Sequence, residues 1–404
     1  MSSNGWNTWN IGDIGRIVTG KTPPTQNPNN FGDKYPFITP RDMLGQKRIH
    51  QTERYLSEEG KNTVKNCLLP AKSVCVSCIG SDMGKVVMTT TDSVTNQQLN
   101  SVICKAFFDP DFVYYALVNI SDELRNAGHH STAVPILNKT DFSNFEITAS
   151  DIVTQRRIGN ILSALDEKIE LNRQTNATLE AIAHAIFKEW FMDFNFPDST
   201  GEMVESELGM IPKGWEVKPL PEAIEVNPSR PLRKDEIAPY LDMANMPTQG
   251  HRGIEWVDRP FGSGTKFING DTLLARITPC LENGKTAFVD FLADGQTGWG
   301  STEYIVLHPK APLPPEYGYY LARFNDLRNH AIQNMIGTSG RQRTPASSLD
   351  TFLMVVPEEA AAKQYGLIAA AVISQIRAYD EESRTLAAMR DTLLPKLMNG
   401  DIEV

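Results

Sequence analysis

Apolar residues recur at alternating intervals of three and four along two long stretches of this chain. In the first, Leu162, Leu165, Ile169, Asn172, Asn176, Leu179, Ala183, Ile186 and Trp190 form a seam of about four heptads, the pattern of a helix that turns one stripe toward a partner. Adding 207 to each position gives Ala369, Val372, Ile376, Tyr379, Ser383, Leu386, Arg390, Leu393 and Leu397, again mostly apolar. One such seam reads equally well as a helix facing a core. Two of them, each closing one half of the chain, favour two helices packed on each other. The spacing predicts a helix over 152–194, about 65 Å long at roughly 1.5 Å per residue. Asn172 and Asn176 against Tyr379 and Ser383 set the register of the pair or sit partly exposed. Pro395 is expected to end or kink the second helix.

Outside the seams the pattern shortens. Positions 46–69 mix polar and turn residues, 74–79 alternate as a strand does before Gly80, and 267–274 read as a turn running into an equivalent strand. The halves echo each other elsewhere too. Gly84-Lys85 matches Gly284-Lys285, and Asp109-Pro110-Asp111-Phe112 through Tyr115 matches Pro314-Pro315-Glu316-Tyr317 through Tyr320. Phe145-Glu146-Ile147 matches Phe352-Leu353-Met354 at the same 207 offset. A duplicated chain of this kind reads as α+β: two mixed α/β domains separated by two long antiparallel coiled-coil helices, an internal repeat of pseudo-twofold character. The expected boundaries are 1–151 for the first domain, 152–196 for the central helix and 197–214 for a linker rich in Pro, Gly and Ser. The second domain takes 215–357, and the distal helix with its tail takes 358–404.

Composition narrows the setting. A chain of 404 residues with 41% hydrophobic content can build two or three cored domains. Residues 1–5 lack a basic segment before an apolar core, so no secretion signal is expected, and no stretch has the length of a membrane helix. Five cysteines, an odd number, fit free thiols in a reducing cytoplasm. The net charge of −10 speaks against strong unaided binding to nucleic acid, although only a local basic face is needed for it.

Several motifs invite chemistry that their context denies. Gly15 to Thr22 satisfies the phosphate-loop pattern GxxxxGK(S/T), but Pro23-Pro24 follows at once, where a helix N-terminus should begin. A surface turn carrying Lys21 is the expectation. Cys75 and Cys78 form a CxxC within a strand, where residues three apart face opposite sides; that suits neither a zinc pair nor a dithiol. Asp109-Pro110-Asp111-Phe112 lacks the second proline of an amino-methyltransferase motif, and Phe261-Gly262-Ser263-Gly264 does not follow an apolar strand. The seven histidines, His129-His130 included, show no metal-ligand spacing, and no catalytic residues or metal site are expected.

The helices carry a specific resemblance. Leu165-Asp166-Glu167-Lys168-Ile169-Glu170-Leu171-Asn172-Arg173 and its continuation to Glu180 resemble the central conserved helix of the specificity subunits of type I restriction-modification systems. Ala185-Ile186-Phe187-Lys188-Glu189-Trp190-Phe191 resembles its end, and Leu393-Leu394-Pro395-Lys396-Leu397-Met398-Asn399-Gly400 the family's distal ending. Trp9-Asn10-Ile11-Gly12-Asp13 with Thr19-Gly20-Lys21-Thr22-Pro23 is similar to the opening of a first target-recognition domain, and Ile211-Pro212-Lys213-Gly214-Trp215 to that of a second. The resemblance implies a non-catalytic subunit that binds double-stranded DNA together with two methyltransferase (modification) subunits; restriction (motor-nuclease) subunits complete the endonuclease. Each domain then reads one half of a split site, and the helices fix the unread spacer and dock the modification subunits. S-adenosylmethionine, ATP and Mg belong to the partner subunits.

Bases are read by Arg, Lys, Asn and Gln, and phosphates by Lys, Arg, Ser, Thr and backbone N–H groups. Polar, glycine-bearing loops therefore supply the candidates. In the first domain these are Lys21, Thr22, Arg41, Ser81, Lys85, Gln97, Gln98 and His130. In the second they are Arg230, Arg276, Lys285, Trp299, Ser301, Arg341, Gln342 and Arg343, with the 337–344 loop the densest group of donors. Two other readings compete with a DNA reader: a non-catalytic coiled-coil scaffold bridging protein partners, and a stand-alone enzyme using the Gly20-Lys21-Thr22 loop.

Overall fold

Two helices of 40 residues each, Ile152–Phe191 and Glu359–Met398, run through the computed structural model, which describes residues 5–127, 135–338 and 340–404. Asp151 starts the central helix: its Oδ1 accepts from the N–H groups of Val153 (2.9 Å) and Thr154 (3.2 Å), satisfying donors that have no partner within the helix. The helix stops at Phe191, earlier than the spacing predicts, because Phe194 takes a positive φ of 61°. The distal helix runs through Pro395 to Met398. Pro395 lacks the N–H that would bond the preceding turn, but only one turn of helix follows it, and Asn399 still donates to the Pro395 carbonyl at 3.0 Å.

All the seam positions are withdrawn from solvent. Leu162, Asn172, Ala183, Trp190, Ala369, Ile376 and Leu397 are buried; Leu165, Ile169, Asn176, Leu179, Ile186, Val372, Tyr379, Leu386 and Leu393 are half-buried. The cross-helix bonds run in opposite chain directions: Arg390 donates to Asp166 (2.6 Å), and Asn176 donates to Asp380 (2.8 Å) and to the Ile376 carbonyl (3.4 Å). The two helices are therefore antiparallel.

The chain forms two compact units, Met1–Leu171 with Glu382–Val404, and Asn172–Glu381. In the first, a five-stranded sheet orders Gly15–Thr19, Leu99–Cys104, Val74–Ser77, Val86–Thr89 and Arg48–Ile49. One of its faces packs on Phe112, Val113 and Leu117 of the helix Pro110–Asn119, and that core also takes in Ile158, Leu162, Leu394 and Leu397 of the long helices. A second small sheet pairs Tyr35–Ile38 in parallel with Val94–Thr95. Asn7–Asn10 pairs with Glu146–Ala149 and brings the ends of this domain together.

The second unit repeats the plan. Ile224–Val226, Tyr304–Pro309, Thr272–Ala275 and Thr286–Phe288 form its main sheet in the same order. Ile237–Leu241 pairs in parallel with Gly298–Gly300, and Glu216–Pro219 pairs with Leu353–Val356. Its core gathers Phe187, Trp190 and Phe191 from the central helix, Tyr365 and Ala369 from the distal helix, and Tyr317, Tyr319 and Tyr320 from the helix Pro315–Arg323. The apolar repeat in the sequence thus marks an α+β architecture built twice. Within 197–214, the strands Met203–Ser206 and Gly209–Pro212 form a two-stranded ribbon.

Candidate nucleic-acid interface

In the first domain, three chain segments meet where the strands Gly15–Thr19 and Leu99–Cys104 begin and end. Gly20 donates to the Leu99 carbonyl (3.1 Å) and Lys21 to that of Thr95 (2.9 Å). A Cβ on Gly20 would lie 2.1 Å from the Asn96 carbonyl oxygen, so the residue is a glycine because two backbones touch there. Thr22 Oγ1 donates to Gln97 Oε1 at 2.7 Å, and Asn96 Nδ2 donates to Gln98 Oε1 at 2.8 Å. The Cys78 N–H reaches the Gln98 carbonyl (2.8 Å) and that of Gly80 reaches Pro135 (3.0 Å), which brings in the 78–85 turn. Lys21, Thr22, Ser81, Lys85, Gln97 and Gln98 thus share one end of the domain. Lys21, Ser81 and Gln97 are exposed, while Lys85 pairs with Asp82 at 2.6 Å. Arg41 is exposed three residues after Ile38, whose carbonyl accepts from Asn96. His130 lies outside the described residues.

The second domain assembles the same end with different side chains. Asn227 donates to the Val306 carbonyl (2.7 Å), Arg276 to that of Glu303 (3.0 Å), Thr278 to that of Gln342 (3.0 Å), and Thr344 to that of Arg276 (2.8 Å). Arg276, Ser301, Gln342 and Arg343 are half-buried here and Arg341 is exposed; Ser339 of the same loop lies outside the described residues. Arg276 and Arg343 both flank Glu303, at 3.4 and 2.7 Å. A polar cleft of about 350 Å³ opens beside them, lined among others by Ser229, Arg230, Lys266 and Arg276.

Three expected contact residues have other duties. Trp299 is buried and packs against Tyr240 (centroids 4.4 Å apart) and Phe261 (5.4 Å). It sits in a strand whose neighbours close over it, and so belongs to the core rather than to a reading surface. Lys285 gives its ammonium to the carbonyls of Met243 (2.6 Å) and Ala244 (3.4 Å). Arg230 holds the fully buried Asp271 with two hydrogen bonds (2.7 and 3.2 Å), and His308 approaches the same carboxylate at 2.8 Å. Two participants escaped the sequence reading. Lys266 sits in the strand Thr265–Phe267, just before the segment read as a turn, and Glu303 went unread because only donors were sought. The repeat could have found Glu303, since it stands where Gln98 stands in the first half.

The misleading motifs resolve physically. Gly15–Thr19 of the apparent phosphate loop is itself a strand, followed by no helix. Cys75 and Cys78 enter cores on opposite sides of their sheet, as alternation requires. Burial pushes their thiols up, to about 12 and about 11. Among the described residues no group of three or more His, Cys, Asp and Glu is placed to hold a metal ion, and no helix is long and apolar enough to cross a membrane.

Known proteins share this organisation. The sequence profile of the type I restriction modification DNA specificity domain matches residues 3–181. Over 418 positions the chain is 25% identical to the specificity subunit of the type I restriction enzyme MjaIX of Methanocaldococcus jannaschii, covering 99% of this chain and 94% of that one. It is 36% identical over 178 residues to the HindI specificity subunit of Haemophilus influenzae, covering 42% and 39%. Among solved structures, the S subunit of a type I restriction-modification system from M. genitalium matches with a TM-score of 0.58 across 98% of this chain and 97% of that one, at 14% identity, a likeness of fold.

Proposed function

The chain belongs to the family of type I restriction-modification DNA specificity subunits, and from that premise we propose that its two domains each read one half of a bipartite DNA site. The carrying observation is that both domains build one backbone framework and open the same three loops at one end, furnished with different side chains. A duplicated framework with unlike loops suits two unlike half-sites. The antiparallel helices set the unread spacer between the half-sites and dock two modification subunits. Their outward faces support this docking. Val153, Ala164, Leu171 and Ile182 are exposed on the central helix, and Ala360, Ala371, Ala378 and Met389 are exposed at the same 207 offset on the distal one. A repeated apolar stripe fits two copies of one partner. The subunit is non-catalytic; the methyl donor, ATP and Mg are assigned to the partner subunits.

The test is to assemble the chain with its modification subunit and select from random duplexes. A split motif is the expected product. A complex that forms but enriches no motif overturns the reading. DNA binding by the assembled complex without steep salt dependence would instead favour a protein-bridging scaffold, because phosphate contacts release counterions.

A further inference from the structure

The two domains carry the same backbone bonds at the centre of their loop clusters but opposite chemistry on them. In the first domain, Cys78 donates to the Gln98 carbonyl, Leu137 donates to the Cys78 carbonyl, and Ile79 bridges Ile136. In the second, Arg276 donates to the Glu303 carbonyl, Thr344 donates to the Arg276 carbonyl, and Ile277 bridges Arg343. The framework positions of Cys78, Gln98 and Ile136 are therefore those of Arg276, Glu303 and Arg343. A thiol, an amide and an alkyl group have been exchanged for a charged triad with no change in the chain's path. Fold stability does not demand the triad, since the first domain builds the same framework without it.

Glu303 holds the two guanidiniums differently. Arg343 places Nε and Nη2 each 2.7 Å from Glu303 Oε1, which fixes the plane of its fork. Arg276 brings its Nε to 3.4 Å from Oε2. That contact is too oblique to count as a hydrogen bond, and neither Nε nor Oε2 has another partner. Arg276 lines the cleft together with Arg230 and Lys266. The side chains of Arg276, Arg343 and Glu303 keep 29%, 40% and 19% of their exposure, so the triad sits at the surface of the loop cluster. Two guanidiniums sharing one carboxylate carry a net positive charge and present paired donors with restricted rotamers. Paired N–H donors in a fixed fork match O6 and N7 of guanine in the major groove.

Resting on the reading of the second domain as one half-site reader, we propose that Arg276 and Arg343 read G·C pairs in that half-site, with Glu303 as the positioning residue that orients both forks. The experiment uses the full chain assembled with its modification subunit and selects bound duplexes from a library randomised over both half-sites. The wild type is expected to show G·C pairs in the second half-site. Arg276→Ala and Arg343→Ala should each erase that preference at one position, lowering discrimination roughly tenfold or more there, with the first half-site unchanged. Glu303→Gln should blur the same positions, and Glu303→Asp should restore them in part, whereas a purely structural Glu303 would lower the melting temperature and leave base preference untouched. Uniform weakening across all sequences with a flatter salt slope would assign the arginines to phosphates and overturn the proposal. So would a wild-type second half-site without G·C pairs, a result that needs no variant to fold. A wild type that enriches no split motif at all sinks the half-site reading itself, a different failure from a split motif lacking G·C.

Discussion

At the scale of single residues, close approach and burial explain what motif matching alone could not. Gly20 looks like the hinge of a nucleotide loop, yet its role is contact: any Cβ there meets the Asn96 carbonyl at 2.1 Å and Thr95 Oγ1 at 2.3 Å. Gly20→Ala should therefore push the 20–22 turn off the 95–98 turn, destabilising the first domain by about 2 kcal/mol in thermal melts; an unchanged melting temperature would refute this. Cys75 and Cys78 give a pH prediction. Burial raises both thiols, to about 12 and about 11, so the folded chain keeps protons that the unfolded chain loses near pH 8.5. Their contribution to stability is full below that pH and falls as pH rises from about 8.5 through the folded values. Both thiols should resist labelling by a thiol reagent at pH 8 in the folded protein and react on unfolding. The candidate contact residues were legible as types but not as roles. Trp299 and Lys285 carry the right chemistry for DNA, and only three-dimensional neighbours show that aromatic packing and carbonyl bonds already claim them.

At the scale of elements, the seam was the most legible feature because a helix writes its buried face into the sequence at a fixed period. The period could not say why one of its positions is charged. Arg390 occupies a seam site, half-buried, and donates to Asp166 across the helix pair at 2.6 Å; Tyr115 donates to the same carboxylate at 2.5 Å. The charge is tolerated because its partner comes from the other helix. Removing that partner alone, in Asp166→Ala, leaves the guanidinium with only the exposed Asp391 on its own helix (2.8 Å) and takes the acceptor from the Tyr115 hydroxyl; it should destabilise the first unit by roughly 1–3 kcal/mol. Replacing both, Asp166→Leu with Arg390→Met, should restore most of the lost melting temperature. A double variant no more stable than Asp166→Ala would show that the pair acts through something other than its charges. Helix ends were less legible. The left-handed turn at Phe194 and the run through Pro395 depend on local backbone geometry that periodicity does not encode.

At the scale of the whole molecule, the net charge of −10 bears on how a specificity subunit meets a polyanion. Part of the positive charge near the loop clusters is neutralised within the chain: Lys85 by Asp82, Arg230 by Asp271, Arg276 and Arg343 by Glu303. Such pairing orients side chains for base edges while adding little long-range attraction, so recognition and affinity separate in this chain. Lys21, Arg41 and Arg341 are exposed, but these three cations and the single net positive charge of the triad do not offset the long-range field of the acidic whole. If modification subunits dock as proposed, the attraction to phosphate is expected to come mainly from them. Titrating a specific duplex against the isolated chain should give weak binding with a shallow dependence on salt. The assembled complex should bind the same duplex far more tightly, with a log–log salt slope steeper by several units, each unit reporting about one further phosphate neutralised. Equal slopes for chain and complex would place the phosphate contacts in this chain after all, and the acidic balance would then have to be confined to surfaces turned away from the DNA.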